Sequence, residues 1–175
     1  MPSSVPTFDE LMAGCTRSAV HLEMRDAYAV DNEKGPFADW KAGVRLDPAD
    51  RASWWRPWLD LITSTVARGV VVRRTRIVSE PVSDYIRYEH SGTFTNVAAG
   101  EHVRWLPRRL ASGIALPGND FWLFDGTWVH WNHFTGDGQW AGEEVTDDPA
   151  AAKLCAGAFE AAWDLGTPHD QYRIR

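Results

Sequence analysis

The residues best suited to chemistry fall in three places. The first is Asp120–Phe134, DFWLFDGTWVHWNHF, which holds three of the ten tryptophans, two of the six histidines and an Asp-Gly hairpin signal. The second is Glu23, Arg25, Asp26 and Tyr28, which leave the end of one apolar-alternating segment. The third is Arg76, Glu80, Asp84, Tyr85 and Arg87, which flank the end of another. Brought together, the last two groups would form a polar cleft. Glu23, Asp84 and Tyr85 would be its acid–base candidates and Arg76 and Arg108 its cationic edge. The alternative is an ion-pair and capping network around two strand ends, and the sequence leaves both readings open.

His130 and His133 invite a metal reading that their spacing opposes. On a strand, residues three apart point to opposite faces. No cysteine or carboxylate cluster completes a zinc set, so no metal is expected. Gly136-Asp137-Gly138 followed by Gly142 superficially resembles a dinucleotide fingerprint. The last spacing is one residue too long, and the segment joins two strands rather than opening a helix. There is no Walker A pattern, no G-x-S-x-G elbow and no H-E-x-x-H, and no cofactor is expected.

The elements that must position these residues belong to one domain. A chain of 175 residues fits a single core, here read as spanning 1–175. Net charge of −6 argues against direct nucleic-acid binding, which needs phosphates neutralised by Lys and Arg. Lysine occurs only at Lys34, Lys41 and Lys153, whereas arginines cluster at 73, 74 and 76 and at 104, 108 and 109. Arginine forks suit carboxylates and phosphates. Trp and Arg are also enriched in binding hot spots. Arg25, Arg74, Arg76, Arg87, Trp105, Arg108 and Arg109 are therefore the expected contacts to a ligand or partner. Cys15 and Cys155 are isolated, which does not make a disulfide scaffold. The start MPSSVPTFDE lacks a basic region and an apolar core, and no run approaches a membrane span. The expectation is a cytoplasmic protein that does not enter a membrane.

Periodicity predicts an N-terminal helix within 1–17, over Phe8–Cys15, then a strand over Ser18–Met24. On that strand Ala19, His21 and Glu23 would face one way, Val20, Leu22 and Met24 the other. Asp31–Gly43 reads as polar with a helical turn at Phe37–Trp40. Trp54–Arg68 reads as one helix with Pro57 near its first turn. Val70–Val78 is a strand with a buried apolar first half and a polar, arginine-bearing end. Val82–Ser91 reads as a helix, Val103–Pro107 as a strand, and Phe121–Phe124, Thr127–Phe134 and Gln139–Val145 as a meander. Asp147-Asp148-Pro149 starts a last helix, closed by Gly166, and 167–175 reads as a short charged tail. Strand, helix and buried strand in succession give an α/β protein, with a mixed α+β arrangement as the alternative. The sheet would be mixed, with about five to seven strands flanked by helices.

Four segments carry a family resemblance: SAVHLEMRDAY (18–28), WWRPWLDL through RIVSEPVSDYIRYEH (54–90), NVAAGEHVRWLPRR (96–109), and PGNDFWLFDGTWVHWNHF with the final helix (117–163). Together they resemble an uncharacterised actinobacterial domain family found beside helix-turn-helix regulators and small acidic partner proteins. More distantly, the order of elements with an FxxxDG hairpin resembles one half of the phospholipase D-like fold. In active members of that fold a His-x-Lys pair precedes the hairpin aspartate by seven and five residues. With Asp125 as that aspartate, the corresponding positions are Gly118 and Asp120. Glycine is no nucleophile and aspartate repels phosphate, and no His-x-Lys occurs anywhere in the chain. Phosphodiesterase chemistry of that type is thus not expected. The resemblance also implies a homodimer, because such half-domains pair.

These observations favour a non-catalytic regulatory or interaction module, with effector sensing as one form of it. Its partner would be a helix-turn-helix regulator, a small neighbouring protein or a small effector. The alternatives are an enzyme of unrecognised chemistry using a polar cleft at strand ends, and a toxin or antitoxin component. Asp120–Phe134 is read as scaffold, with function sought at Glu23 and around Arg76–Arg87.

Overall fold

In a computed structural model, which describes residues 5–175, one seven-stranded mixed sheet organises the chain. The strands are β1 (Ser18–Glu23), β2 (Val71–Val78), β3 (His102–Pro107), β4 (Asp120–Phe124), β5 (Trp128–Phe134), β6 (Trp140–Thr146) and β7 (Thr167–Pro168). Their order is β6-β5-β4-β1-β2-β3-β7. β1, β2 and β3 run parallel, whereas β4 is antiparallel to β1 and continues into the β5–β6 meander. The expected α/β class and mixed sheet are therefore present.

Helix α1 (Phe8–Gly14) starts at a capping box in which the Thr7 hydroxyl accepts from the Glu10 N–H and Glu10 accepts from the Thr7 N–H. Two crossovers link the parallel strands. The first carries α2 (Asp31–Lys41), α3 (Arg51–Trp54) and α4 (Pro57–Ala67), and the second carries α5 (Asp84–Gly92) and α6 (Phe94–Ala98). The single helix expected over Trp54–Arg68 is split. Residue Arg56, preceding Pro57, is extended at φ −140° and ψ 160°, because the proline ring disfavours a helical residue before it. α2 is a full helix where only one turn was expected, and it buries no residue.

Strand alternation gives the sheet two unlike faces. On one face Val20, Leu22, Ile77, Phe121, Leu123 and Val129 meet α7 (Pro149–Leu165) through Ala152, Cys155, Ala158, Phe159 and Ala162. α7 begins as expected, with the Asp148 carboxylate accepting from the Ala150 N–H and Pro149 at its first position. On the other face the core is Leu11, Met12, Leu59, Ile62, Val72, Trp122 and Phe124, supplied by α1, α4 and the strands. The hairpin between β4 and β5 turns at Asp125 (φ 52°) and Gly126 (φ 71°), the two positive values a type I′ turn requires. The Asp125 carboxylate also accepts from the N–H groups of Thr16, Arg17 and Ser18 at 2.8–2.9 Å, tying the chain after α1 to the sheet.

The C-terminal residues are docked rather than a free tail. β7 pairs antiparallel with β3, and Tyr172 is buried with its ring stacked on Trp105 at 5.6 Å. Among the described residues, no helix is long and apolar enough to cross a membrane.

Candidate functional site

Alternation on β1 sends His21 and Glu23 away from α7, and on β2 it sends Arg74 and Arg76 the same way. On the neighbouring antiparallel strands Asp120, Trp122, Asn132 and Phe134 face that side too. These residues form the floor of a cavity of about 840 Å³. α2 and the loop after it, the start of α4 and the outer turns of α5 supply the walls, among them Glu33, Trp40, Trp58, Tyr85 and Tyr88. The floor sits beside the carboxyl ends of the parallel strands, where open α/β sheets place ligands.

The floor is charged and almost dry. Arg74 and Arg76 are 7% and 6% exposed. Arg74 donates through Nη1 to Glu23 Oε1 at 2.9 Å and through Nε to Glu101 Oε1 at 2.6 Å. Arg76 pairs through Nη1 with Glu23 Oε2 at 2.8 Å and through Nη2 with Glu89 Oε2 at 2.5 Å. Glu101 is in turn bonded by the Asn96 amide at 2.7 Å. Burial alone would push the Glu23 carboxyl up. The Arg76 and Arg74 guanidiniums outweigh it and hold Glu23 down at about 2, so it is ionised. The same carboxylates raise Arg76 above its ordinary value despite burial.

Two carboxyl–phenol pairs stand above this floor. The Tyr28 hydroxyl donates to Asp120, whose other oxygen accepts from the Met24 N–H at 2.9 Å. Burial pushes Asp120 up to about 6; the Tyr28 hydrogen bond opposes this and the Glu23 charge adds to it. The Tyr85 hydroxyl donates to Glu33, which is the bond that fastens α2 to α5. Burial and the neighbouring Glu89 charge push Glu33 up to about 7, against that hydrogen bond and the Arg76 charge. Both phenols are themselves raised by burial and nearby carboxylates. In each pair it is the carboxyl, not the phenol, that can exchange a proton near neutral pH.

His21 is stacked on Trp122 with ring centroids 4.3 Å apart and is 7% exposed. Neither ring nitrogen has a hydrogen-bond partner, and the nearest carboxylate oxygen, on Glu23, is 3.7 Å from Nδ1. Burial pushes the imidazole well below its ordinary value, so it is neutral.

Of the sequence-predicted residues, Glu23, Tyr28, Arg74, Arg76 and Tyr85 converge on the cavity. The others do not line it. Asp84 is the exposed first residue of α5, and half-buried Arg87 lies outside the cavity on the same helix. Trp105, expected as a contact residue, is wholly buried between Tyr172 and its neighbours and donates to His169 Nδ1 at 3.1 Å. Arg25 donates to the Thr135 and Gly136 carbonyls. Arg108 bonds the Met24 and Ile77 carbonyls and the Ser79 hydroxyl, a structural clamp on two strand ends. Arg109 is exposed, 3.9 Å from Glu80.

The reading of Asp120–Phe134 as scaffold is corrected, since four of its side chains line the cavity. His130 is buried against Phe8 and 3.2 Å from Glu143, and His133 is 3.8 Å from Glu144. Sequence reasoning missed His21, Glu33, Glu89, Glu101 and Asp120. His21 carried a signal, because it shares a strand face with Glu23. The others lie on separate elements and carry none.

The chain belongs to the family described as a domain of unknown function (DUF6879), which matches residues 6–174. No curated protein matches it. Among solved structures it is similar to Nuc from Salmonella typhimurium, a phospholipase D family member. That likeness has 11% identity and a TM-score of 0.49, with 94% of this chain and 88% of that chain covered. It is also similar to TrmBL2, an archaeal chromatin protein, at 11% identity and a TM-score of 0.49. There 90% of this chain is covered but only 47% of the other.

Proposed function

We propose that this domain is an effector-sensing interaction module. A small molecule enters the cavity over β1, β2 and β4. Occupancy is passed to a protein partner, a helix-turn-helix regulator or a small neighbouring protein. The observation that carries the reading is the cavity itself. Its volume of about 840 Å³ lies within the usual range for small-molecule sites, and a few convergent polar groups sit among many aromatic ones. α2 supports the sensing role. It forms one wall yet buries no residue, so a bound ligand would add contacts that this helix lacks.

Thermal denaturation against a metabolite panel tests the reading, coupled to affinity capture of the native protein with and without the stabilising compound. A ligand at a hundred times its dissociation constant stabilises by about 2.7 kcal/mol, which is readily seen. The expected result is stabilisation that disappears in Trp122→Leu and a regulator whose recovery changes with ligand. A stabilising compound that leaves partner recovery unchanged would count against the module.

The carboxyl–phenol pairs favour a second reading, an enzyme. Asp120 at about 6 and Glu33 at about 7 are tuned for proton transfer near neutrality. Turnover of the stabilising compound that is lost in Asp120→Asn or Glu33→Gln would replace the module with this reading.

A further inference from the structure

We infer that the cavity's ligand is an organic cation, a protonated amine carried on an apolar body. This rests on the ligand-binding reading above and names the chemistry that the cavity recognises. Three observations converge on it.

The first is charge. The ion-pair network of the floor sets Glu23, Glu89 and, behind Arg74 and outside the cavity lining, Glu101 against only Arg74 and Arg76, leaving a buried carboxylate in excess. Each guanidinium is already bracketed by two carboxylates, although Arg76 Nε is buried without an acceptor. Asp39 and the Glu33 and Asp120 carboxyls line the same space, against the single further cation Arg56. An anion would be set among like charges, whereas a cation completes the balance.

The second is the wall. Trp54, Trp58, Tyr85, Tyr88, Trp122 and Trp140 surround the space, and aromatic rings of this kind attract cations to their faces. The protein already uses adjoining rings in this way. Arg45 lies 4.5 Å over Trp40, Arg25 5.7 Å over Phe134 and Arg74 5.8 Å over Trp122.

The third is His21. It is more than nine-tenths buried, lines the cavity, and has no partner at either nitrogen. A neutral imidazole has one lone-pair nitrogen that accepts a hydrogen bond. Neither nitrogen has exposed surface in this structure, so an ammonium N–H would supply the missing donor once the ring turned a nitrogen to the cavity, where Glu23 lies beside it.

Three probes of one shape test the inference on the full-length protein: 2-phenylethylammonium, phenylacetate and 2-phenylethanol, each at millimolar concentration near pH 7. Binding is read by thermal shift and by calorimetry in two buffers of different ionisation enthalpy. The ammonium compound is expected to bind best and to release protons, because its charge lowers the proton affinity of Glu33 and Asp120. His21→Phe keeps a ring on Trp122 but removes the acceptor, and about a tenfold loss of affinity is expected for a single charge-assisted hydrogen bond. Preferred binding of phenylacetate, or equal binding of the alcohol, overturns the cation and leaves the cavity as a ligand site. Binding of none of the three by a folded protein overturns both.

Discussion

Replacing Asp120 by asparagine should stabilise the protein at alkaline pH and do so much less in acid. The side chain is 3% exposed, and burial raises its carboxyl from the usual 3.8 to about 6. A raised carboxyl stabilises the folded state fully below the unfolded value, and this stability is lost as pH rises through the folded value. The interval corresponds to about 3 kcal/mol, at about 1.36 kcal/mol for each tenfold change in proton affinity. Asparagine imitates the protonated acid: one atom still accepts from the Met24 N–H and the amide faces the Tyr28 oxygen. The variant should therefore gain about 3 kcal/mol at pH 8 and about 1 kcal/mol at pH 4.5. For a domain of this size, about 3 kcal/mol corresponds to roughly 6–12 °C in Tm. Urea unfolding followed by tryptophan emission, with the variant compared to the parent at each pH, gives the measurement. A gain equal at both pH values, or a loss at pH 8, would refute the reasoning. Either result would mean that the Tyr28 hydrogen bond to an ionised Asp120 outweighs burial.

Trp105→Ala should cost about 3–5 kcal/mol in urea unfolding, the range for deleting a fully buried large side chain. A surface contact residue would instead leave stability unchanged and affect only binding. Asp125→Ala leaves three backbone N–H groups without their acceptor and should cost about 2 kcal/mol at neutral pH. Those N–H groups oppose burial and hold the Asp125 carboxyl below its usual 3.8, so the stability it gives is present above 3.8 and lost as pH falls. The difference between parent and variant should shrink accordingly in acid. Gly138→Ala places a methyl 3.1 Å from the Ala27 carbonyl oxygen and 3.3 Å from Tyr28 Cα at a φ of +82°. A loss of about 1–3 kcal/mol in thermal unfolding is expected from such strain.

The sequence made some of this legible and concealed the rest for identifiable reasons. The alternation of Ser18–Glu23 fixes which side chains meet α7 and which do not, and the structure agrees residue by residue. Asp125-Gly126 and Asp148-Pro149 are local signals whose geometry depends on few neighbours, and both hold. Arg74 and Arg76 read from the sequence as ligand or partner contacts on a polar strand end, and arginine is seldom buried. What buries them is Glu23, Glu89 and Glu101, which are far apart in sequence and come together only when three parallel strands close. Trp105 and Tyr172 illustrate the same limit, since a two-residue edge strand, β7, brings them together and gives no periodic signal.

The contrast between the two faces of the sheet is the strongest argument for the proposed ligand-binding role of the cavity. Both faces are built from the same strands by the same alternation. The α7 face is filled with Val, Leu, Ile, Phe and Ala, so this chain can cover a sheet with an ordinary apolar core. The opposite face abandons that solution at one end only. Val72, Trp122 and Phe124 pack apolar beneath α1 and α4, whereas Glu23, Arg74, Arg76 and Asp120 face the cavity walled by α2, the start of α4 and α5. Burying ion pairs is commonly no better for stability than apolar residues of the same volume, because desolvation offsets the attraction. Carboxyls raised to about 6 and about 7 reduce stability further at neutral pH. Packing does not account for polar groups placed at such a disadvantage, in one patch, beside a histidine with two unused nitrogens. The proposed recognition of a ligand that enters the cavity would account for them.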